Sequence, residues 1–286
     1  MSISASMVQE LRELTGAGIM ECKDALKEAS GDIQGALENL KKKGALKAVK
    51  KASRSTKAGL IAILQSESAA SIVELKCETD FVSRNDKFQE LASMIAKSRL
   101  ENADGSSELL PISTTDSQTV KEKIEGMIQI VGENITLGRA ERTALKGSGL
   151  FGSYVHGGGS IGVLVEIGIE NDASSNPLYG DVAKNIAMHI AASSPLAVSE
   201  DEIADEIIKQ ETRIFEEQAV ESGKPSKIIP QIVKGKLNKY FSEVTLLKQP
   251  YVKDPDKRVE SYLKDVSAEL GDKLVVRSFL RYQLGE

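Results

Sequence analysis

The amino-acid sequence predicts a multidomain α+β protein, and three observations carry that prediction. Apolar residues recur at helical spacing as far as Gly44, change to strand spacing near Leu60, and return to helical spacing near Phe88. The order hairpin-then-helix occurs twice. At 286 residues, the chain also exceeds the roughly 100 to 200 residues usual for one domain.

The first element is a short helix over Ser6–Leu14, whose apolar Met7, Val8, Leu11 and Leu14 share a face before the glycine-rich turn Thr15-Gly16-Ala17-Gly18. A second helix spans Ile19–Ala29 and stops at Ser30-Gly31, where glycine supplies a left-handed cap. Asp32 N-caps a third, which buries Ile33, Ala36, Leu37 and Leu40 and is predicted to close at Gly44. A three-helix bundle this small buries little surface and is marginal alone.

Next, Leu60–Leu64 and Ile72–Cys77 read as strands joined by Gln65–Ser71, followed by a helix over Phe88–Ala96. The same order returns as Ser153–His156, the turn Gly157-Gly158-Gly159, Ile161–Ile169 and a helix over Val182–Ala192. Aligning Ile72–Asp80 with Leu164–Asp172 pairs Val73 with Val165, Glu74 with Glu166, Glu78 with Glu170 and Asp80 with Asp172. After a short offset, Leu91–Ser98 falls on Ile186–Ser193. The chain therefore holds two copies of one α+β unit with antiparallel sheets.

Within the second copy, Ala204, Ile208, Phe215 and Ala219 mark one helical stripe over residues 202–221. Ile229, Val233, Leu237 and Tyr240 mark another over 226–241, with Ser222-Gly223-Lys224-Pro225 as stop and restart. An inserted antiparallel helical hairpin is predicted. Strand-like Val244–Val252, a helix over Val259–Leu270 and strand-like Leu274–Leu284 follow. The predicted division is 1–54 for the N-terminal helices with a basic linker, 55–146 for the first core subdomain, 147–199 with 242–286 for the second, and 200–241 for the hairpin.

Composition excludes several classes. A net charge of −5 argues against a polybasic nucleic-acid coat, and 41 % hydrophobic with 28 % charged residues is globular, not disordered. With 4 % aromatics and no Trp, the cores must be aliphatic. Cys22 and Cys77 are the only cysteines, so no disulfide framework or Cys-x-x-Cys metal pair is available, which fits a reducing cytoplasm. No export signal or roughly 18-residue apolar span is predicted.

The run from Lys41 to Gly59 holds eight basic residues and no acid. It reads first as a solvated, partly helical linker and second as a docking strip for RNA or an acidic partner. Positions 41–80 contain no aromatic to stack on bases, which weakens the RNA reading. Gly147-Ser148-Gly149-Leu150-Phe151-Gly152 matches GxGxxG, but a strand follows it where a dinucleotide loop needs a helix, so a turn is predicted over a nucleotide-using enzyme. His156 and His189, the only histidines, lie on different elements and lack metal-site spacing. No metal or cofactor is expected. Cys22 and Cys77 sit on apolar faces and read as buried, not nucleophilic.

One segment resists a purely structural account. At Cys77-Glu78-Thr79-Asp80-Phe81-Val82-Ser83-Arg84-Asn85 a strand ends in a carboxylate beside a large aromatic, at a strand-to-helix corner. The second copy keeps Asp172 but has Ala173 where Phe81 stands, so the ring is not part of the repeated core, and an exposed wedge is predicted.

Seven ordered segments carry a resemblance. Thr15–Leu26 with Ser30–Asp32, Cys77–Asn85, Val131–Ala140, Ser153–Glu166, Ala187–Pro195, Ser222–Pro225 and Gln249–Pro255 together resemble the bacterial elongation factor Ts family over nearly the whole chain. The resemblance implies a ubiquitin-associated-like N-terminal bundle, two α+β core subdomains and a helical hairpin that could support a homodimer. It further implies guanine-nucleotide exchange on elongation factor Tu in translation, with no covalent chemistry, no cofactor, no membrane and no direct nucleic acid required. Asp80, Phe81, Val82 and Ser83 inherit the family's partner-binding and magnesium-dislocating role. Val131 and Gly132 are implied to line the wall beside Phe81, and His156 to contact the partner from the second hairpin. His189 is expected to pack within the second copy.

Overall fold

The computed structural model describes residues 3–112, 118–173, 176–223 and 225–286. Among the described residues the chain is α+β, with ten α-helices and small sheets. It divides into two compact units: one takes in the chain to Ala144 with Val155–Gly162 and Tyr282–Glu286, the other Leu145–Tyr154 and Val163–Arg281.

Helices α1 (Ala5–Thr15), α2 (Ile19–Glu28) and α3 (Ile33–Lys51) open the first unit. The Ser4 and Asp32 side chains accept from backbone amides of the first turns of α1 and α3, satisfying groups that helix ends leave open. Leu11, Ala17, Cys22, Ala25, Leu26, Ala36 and Leu40 form their common core. Contrary to the sequence expectation, α3 does not close at Gly44. Gly44 is buried mid-helix, and a methyl there would lie 3.0 Å from Gln129 Oε1, so this glycine serves a close approach to the neighbouring helix α6 (Val120–Val131). Ala45, Leu46, Ala48 and the following lysines are strong helix formers and carry α3 on to Lys51.

Strands β1 (Ala58–Gln65), β2 (Ala69–Cys77) and β3 (Ile135–Ala144) form an antiparallel sheet in the order β1-β2-β3. Ala58 pairs with Cys77 and Cys77 with Ile135. After the single helical turn α4 (Asp80–Ser83), helix α5 (Asp86–Glu101) packs with α6 on this sheet. Leu75, Cys77, Phe88, Leu91, Ile95, Ile124, Met127 and Ile128 share one apolar core. Neither α6 nor β3 is among the elements the sequence reading identified.

The second copy has the predicted order. β4 (Gly149–His156), β5 (Ile161–Gly168) and β8 (Val275–Gln283) lie side by side in that sequence, and α7 (Leu178–Ser193) buries Tyr179, Val182, Ile186 and Ile190. Helices α8 (Asp205–Glu221) and α9 (Ile229–Val244) pack on each other, with Lys236 Nζ 5.5 Å from the Phe215 ring centroid and donating to Gln218. Lys224, in the predicted stop between them, lies outside the described residues. The predicted strand over Val244–Val252 is corrected. Val244 ends α9, Thr245 makes an isolated parallel bridge to Ala197, Leu246–Lys248 make a single 3₁₀ turn, and Pro250–Tyr251 (β6) pairs with β7 (Asp254–Arg258). Gln249 explains the break: its side-chain amide donates to the Ser193 and Glu243 carbonyls while Oε1 meets His189, which holds the backbone in a turn. Helix α10 (Val259–Leu270) precedes β8.

Candidate functional site

Strand β2 delivers Cys77 to the core and then turns sharply. Thr79 is extended and occupies the N-cap position of α4 without a side-chain cap bond, and the next four residues stand outside the sheet on one helical turn. That turn is too short to hold itself, and its fixation comes from side chains around it. The Cys77 thiol donates to the Thr79 carbonyl at 3.1 Å. Glu133 grips Thr79 twice: Oε2 accepts from its backbone amide at 3.0 Å and Oε1 from its hydroxyl at 2.6 Å. Glu78 accepts from the Asn134 amide at 2.6 Å and pairs with Arg54 at 3.4 Å. Asn134 in turn donates to the Arg54 carbonyl at 2.8 Å, and Lys51 donates to the Gly132 carbonyl. The Val131–Asn134 turn, the end of α3 and the corner are thus one hydrogen-bonded assembly.

On that base Phe81 is 83 % exposed, the most exposed large apolar side chain among the described residues. Val82, next to it, points the other way and packs on the core of the first sheet, as does Val131. Ser83 donates to the Asp80 carbonyl at 3.0 Å, closing the turn. The Asp80 carboxylate pairs with Arg84 at 3.0 Å, both side chains largely exposed. Such a surface pair contributes at most about 1 kcal/mol, so Asp80 can exchange Arg84 for another partner at small cost. Gly132 is exposed and left-handed at the C-terminal cap of α6 (φ 78°), a conformation glycine adopts without strain. His156 is also exposed, at the end of β4.

The other chemistry-bearing groups have structural work. Burial, reinforced by the Glu133 charge, pushes the Cys77 thiol up to about 12, which removes it as a nucleophile. His189 is buried, and its Nδ1 accepts from the Val252 amide at 3.2 Å, which leaves Nε2 to donate to Gln249 Oε1 at 3.0 Å. Gly149 and Gly152, from the GxGxxG stretch, lie in β4. A methyl on Gly149 would sit 2.4 Å from the Ile167 carbonyl, and one on Gly152 2.4 Å from that of Ala183, so these glycines admit close backbone packing, not a phosphate. Among the described residues no group of three or more His, Cys, Asp or Glu is placed to hold a metal ion, and no helix is long and apolar enough to cross a membrane.

Four of the eight basic residues in the run from Lys41 to Gly59 are engaged inside the chain. Lys43 pairs with Glu28, Lys47 with Glu21 and Arg54 with Glu78, while Lys51 bonds Gly132. Arg54, Glu133 and Asn134 escaped the sequence reading as site residues. A signal was present: a glycine followed by an acid stands before the third strand of both copies, at Gly132-Glu133 and Gly271-Asp272.

A family model described as "Elongation factor TS" matches residues 78–286. Proteins named "Elongation factor Ts" are similar along all of this chain. That of Nitratidesulfovibrio vulgaris (strain DP4) is 42 % identical over 289 residues, covering 97 % of its length. Those of Thioalkalivibrio sulfidiphilus (strain HL-EbGR7) and Brucella ovis are 43 % and 42 % identical, with 93 % and 94 % of their lengths covered. This full-length similarity places the chain in the class of translation elongation factors. The chain belongs to the elongation factor Ts family.

Proposed function

We propose that this protein is a guanine-nucleotide exchange factor that binds elongation factor Tu in its GDP form, disturbs the partner's magnesium and phosphate site, and so promotes GDP release and GTP entry. The observation that carries the reading is Phe81, an exposed ring on a corner closed by its own hydrogen bonds and held from outside by Glu133 and Asn134. Burying that ring in a partner contributes about 1.5 to 3 kcal/mol. Because the corner is already ordered, little of this is spent on arranging it.

Asp80 supplies a carboxylate beside the wedge, while Val82 and Ser83 form the turn that presents it; Val131, Gly132 and His156 are supporting contacts. Displacing the magnesium ion weakens nucleotide binding because the cation is the largest local charge on the phosphates. Linkage makes the effect mutual: whatever factor this protein takes from nucleotide affinity, nucleotide takes from its own binding, so GTP releases it. No covalent step, resident cofactor or nucleic acid enters the reading, and the setting is the cytoplasm. Lys43, Lys47 and Arg54 are ion-paired within the chain, so less of the basic run's charge is open to RNA, which favours this over an RNA-binding module.

The predicted division into a ubiquitin-associated-like N-terminal domain, two core subdomains and a hairpin at 200–241 belongs to the same proposal, with α8 and α9 as an antiparallel pair that could join two copies. The test is release of labelled GDP from elongation factor Tu with and without this protein. Strong acceleration, reduced by Asp80→Ala, supports the reading, and an unchanged rate rejects it.

A further inference from the structure

Glu133 stands apart from the residues assigned above, and its geometry is repeated elsewhere in the chain. In the first copy, α6 ends at left-handed Gly132, and the next residue, Glu133, accepts the Thr79 amide and hydroxyl. In the second copy, α10 ends at left-handed Gly271, and the next residue, Asp272, accepts the amides of Glu170 and Asn171 at 3.0 and 3.1 Å. Asn171 aligns with Thr79. The same clasp, a carboxylate after a glycine helix cap gripping the turn beyond the central strand, therefore occurs twice. Only the first clasp carries a large aromatic two residues on: Phe81 against Ala173.

We propose that Glu133 is the positioning residue of the exchange wedge, fixing through Thr79 the direction in which Asp80 and Phe81 leave the sheet. This rests on the exchange reading above. The physical case is that α4 has one turn, its first amides lack intrahelical partners, and the grip on Thr79 is charge-assisted and two-pronged. Without it the corner can pivot about the end of β2, and the ring keeps its area but loses its aim. A two-pronged contact to one residue fixes rotation as well as distance, which a single hydrogen bond does not.

The experiment compares wild type, Glu133→Ala, Glu133→Gln and Asp272→Ala by melting temperature and by the limiting rate of GDP release from elongation factor Tu at saturating protein. Glu133→Ala should lower the limiting rate by between about tenfold and a hundredfold, the upper figure being the scale on which misplacement by an ångström acts. Glu133→Gln should restore most of it, because the amide oxygen can accept from the Thr79 N–H while its NH₂ donates to the hydroxyl. Asp272→Ala should lose melting temperature yet keep the rate, since its clasp holds no wedge. Equal rates for wild type and Glu133→Ala, or an equal loss in Asp272→Ala, would overturn the proposal. If Glu133→Ala does not fold, Thr79→Val removes one prong alone, and the same comparison decides. Wild type without any stimulation would instead defeat the exchange reading itself.

Discussion

Arg139 reaches the buried carboxylate of Glu74 through Nε at 3.2 Å, and its guanidinium lies over the Tyr282 ring at 4.3 Å. Glu74 is on β2 and Arg139 on β3, at a bulge where Val73 and Leu75 shift register. The second copy repeats the pair between β5 and β8, with Glu166 and Arg277 at 3.1 Å. Removing one partner of a buried pair strands the other charge, which costs about 3 to 5 kcal/mol. Arg139→Ala and Arg277→Ala should each lower the urea midpoint at unchanged slope, by energies near the bottom of that range because both arginines are partly exposed. A change within error would remove the pairs from the account.

Cys77 should be inert in the folded protein. Its thiol stays protonated up to about 12 and is buried, as is Cys22. Ellman's reagent at pH 8 should therefore react with neither thiol in the native state and with both in denaturant. Rapid native labelling of Cys77 would reopen a nucleophilic role.

His189 makes stability depend on pH in a definite direction. Burial holds its ring below the ordinary value of 6.5, against a smaller opposing effect of the Gln249 hydrogen bond. The unfolded chain therefore takes up a proton first as pH falls. The contribution of neutral His189 is complete above pH 6.5 and is lost progressively below it, through the lowered value. Urea midpoints measured from pH 7.5 to 5.5 should fall in wild type and fall less in His189→Asn.

Gly152 should tolerate no side chain. A methyl there meets the Ala183 carbonyl carbon and oxygen at 2.4 Å, so Gly152→Ala must push α7 off β4. Overpacking of this kind costs about 1 to 3 kcal/mol. The expected result is a lower melting temperature with GDP release unchanged in the protein that remains folded.

Much of this was legible in the sequence. The repeat was visible because Val73, Glu74, Glu78 and Asp80 recur at matching places, and the exposure of Phe81 followed from its replacement by Ala173. β3 escaped because its polar residues are satisfied by distant partners: Arg139 by Glu74, Arg142 by the Leu100 carbonyl, and Glu141 by the Tyr282 hydroxyl. The apolar alternation therefore stops after Ile135 and Leu137. α6 was recoverable, since Thr119 and Glu122 form a capping box and Gly132 stops the helix. Gly44 misled because a helix interior can accept glycine when a neighbouring helix needs the space. The clasp on Thr79 depends on pairing across 54 positions, which local spacing does not encode.

The most direct test of the central claim is the limiting rate of GDP release from elongation factor Tu at saturating protein, wild type against Phe81→Ala. The ring is exposed, so the variant should melt like the wild type. Its limiting rate should be lower by between about tenfold and a hundredfold, the equivalent of the burial that one phenyl side chain supplies. A Phe81→Ala protein that releases GDP as fast as the wild type would contradict the account.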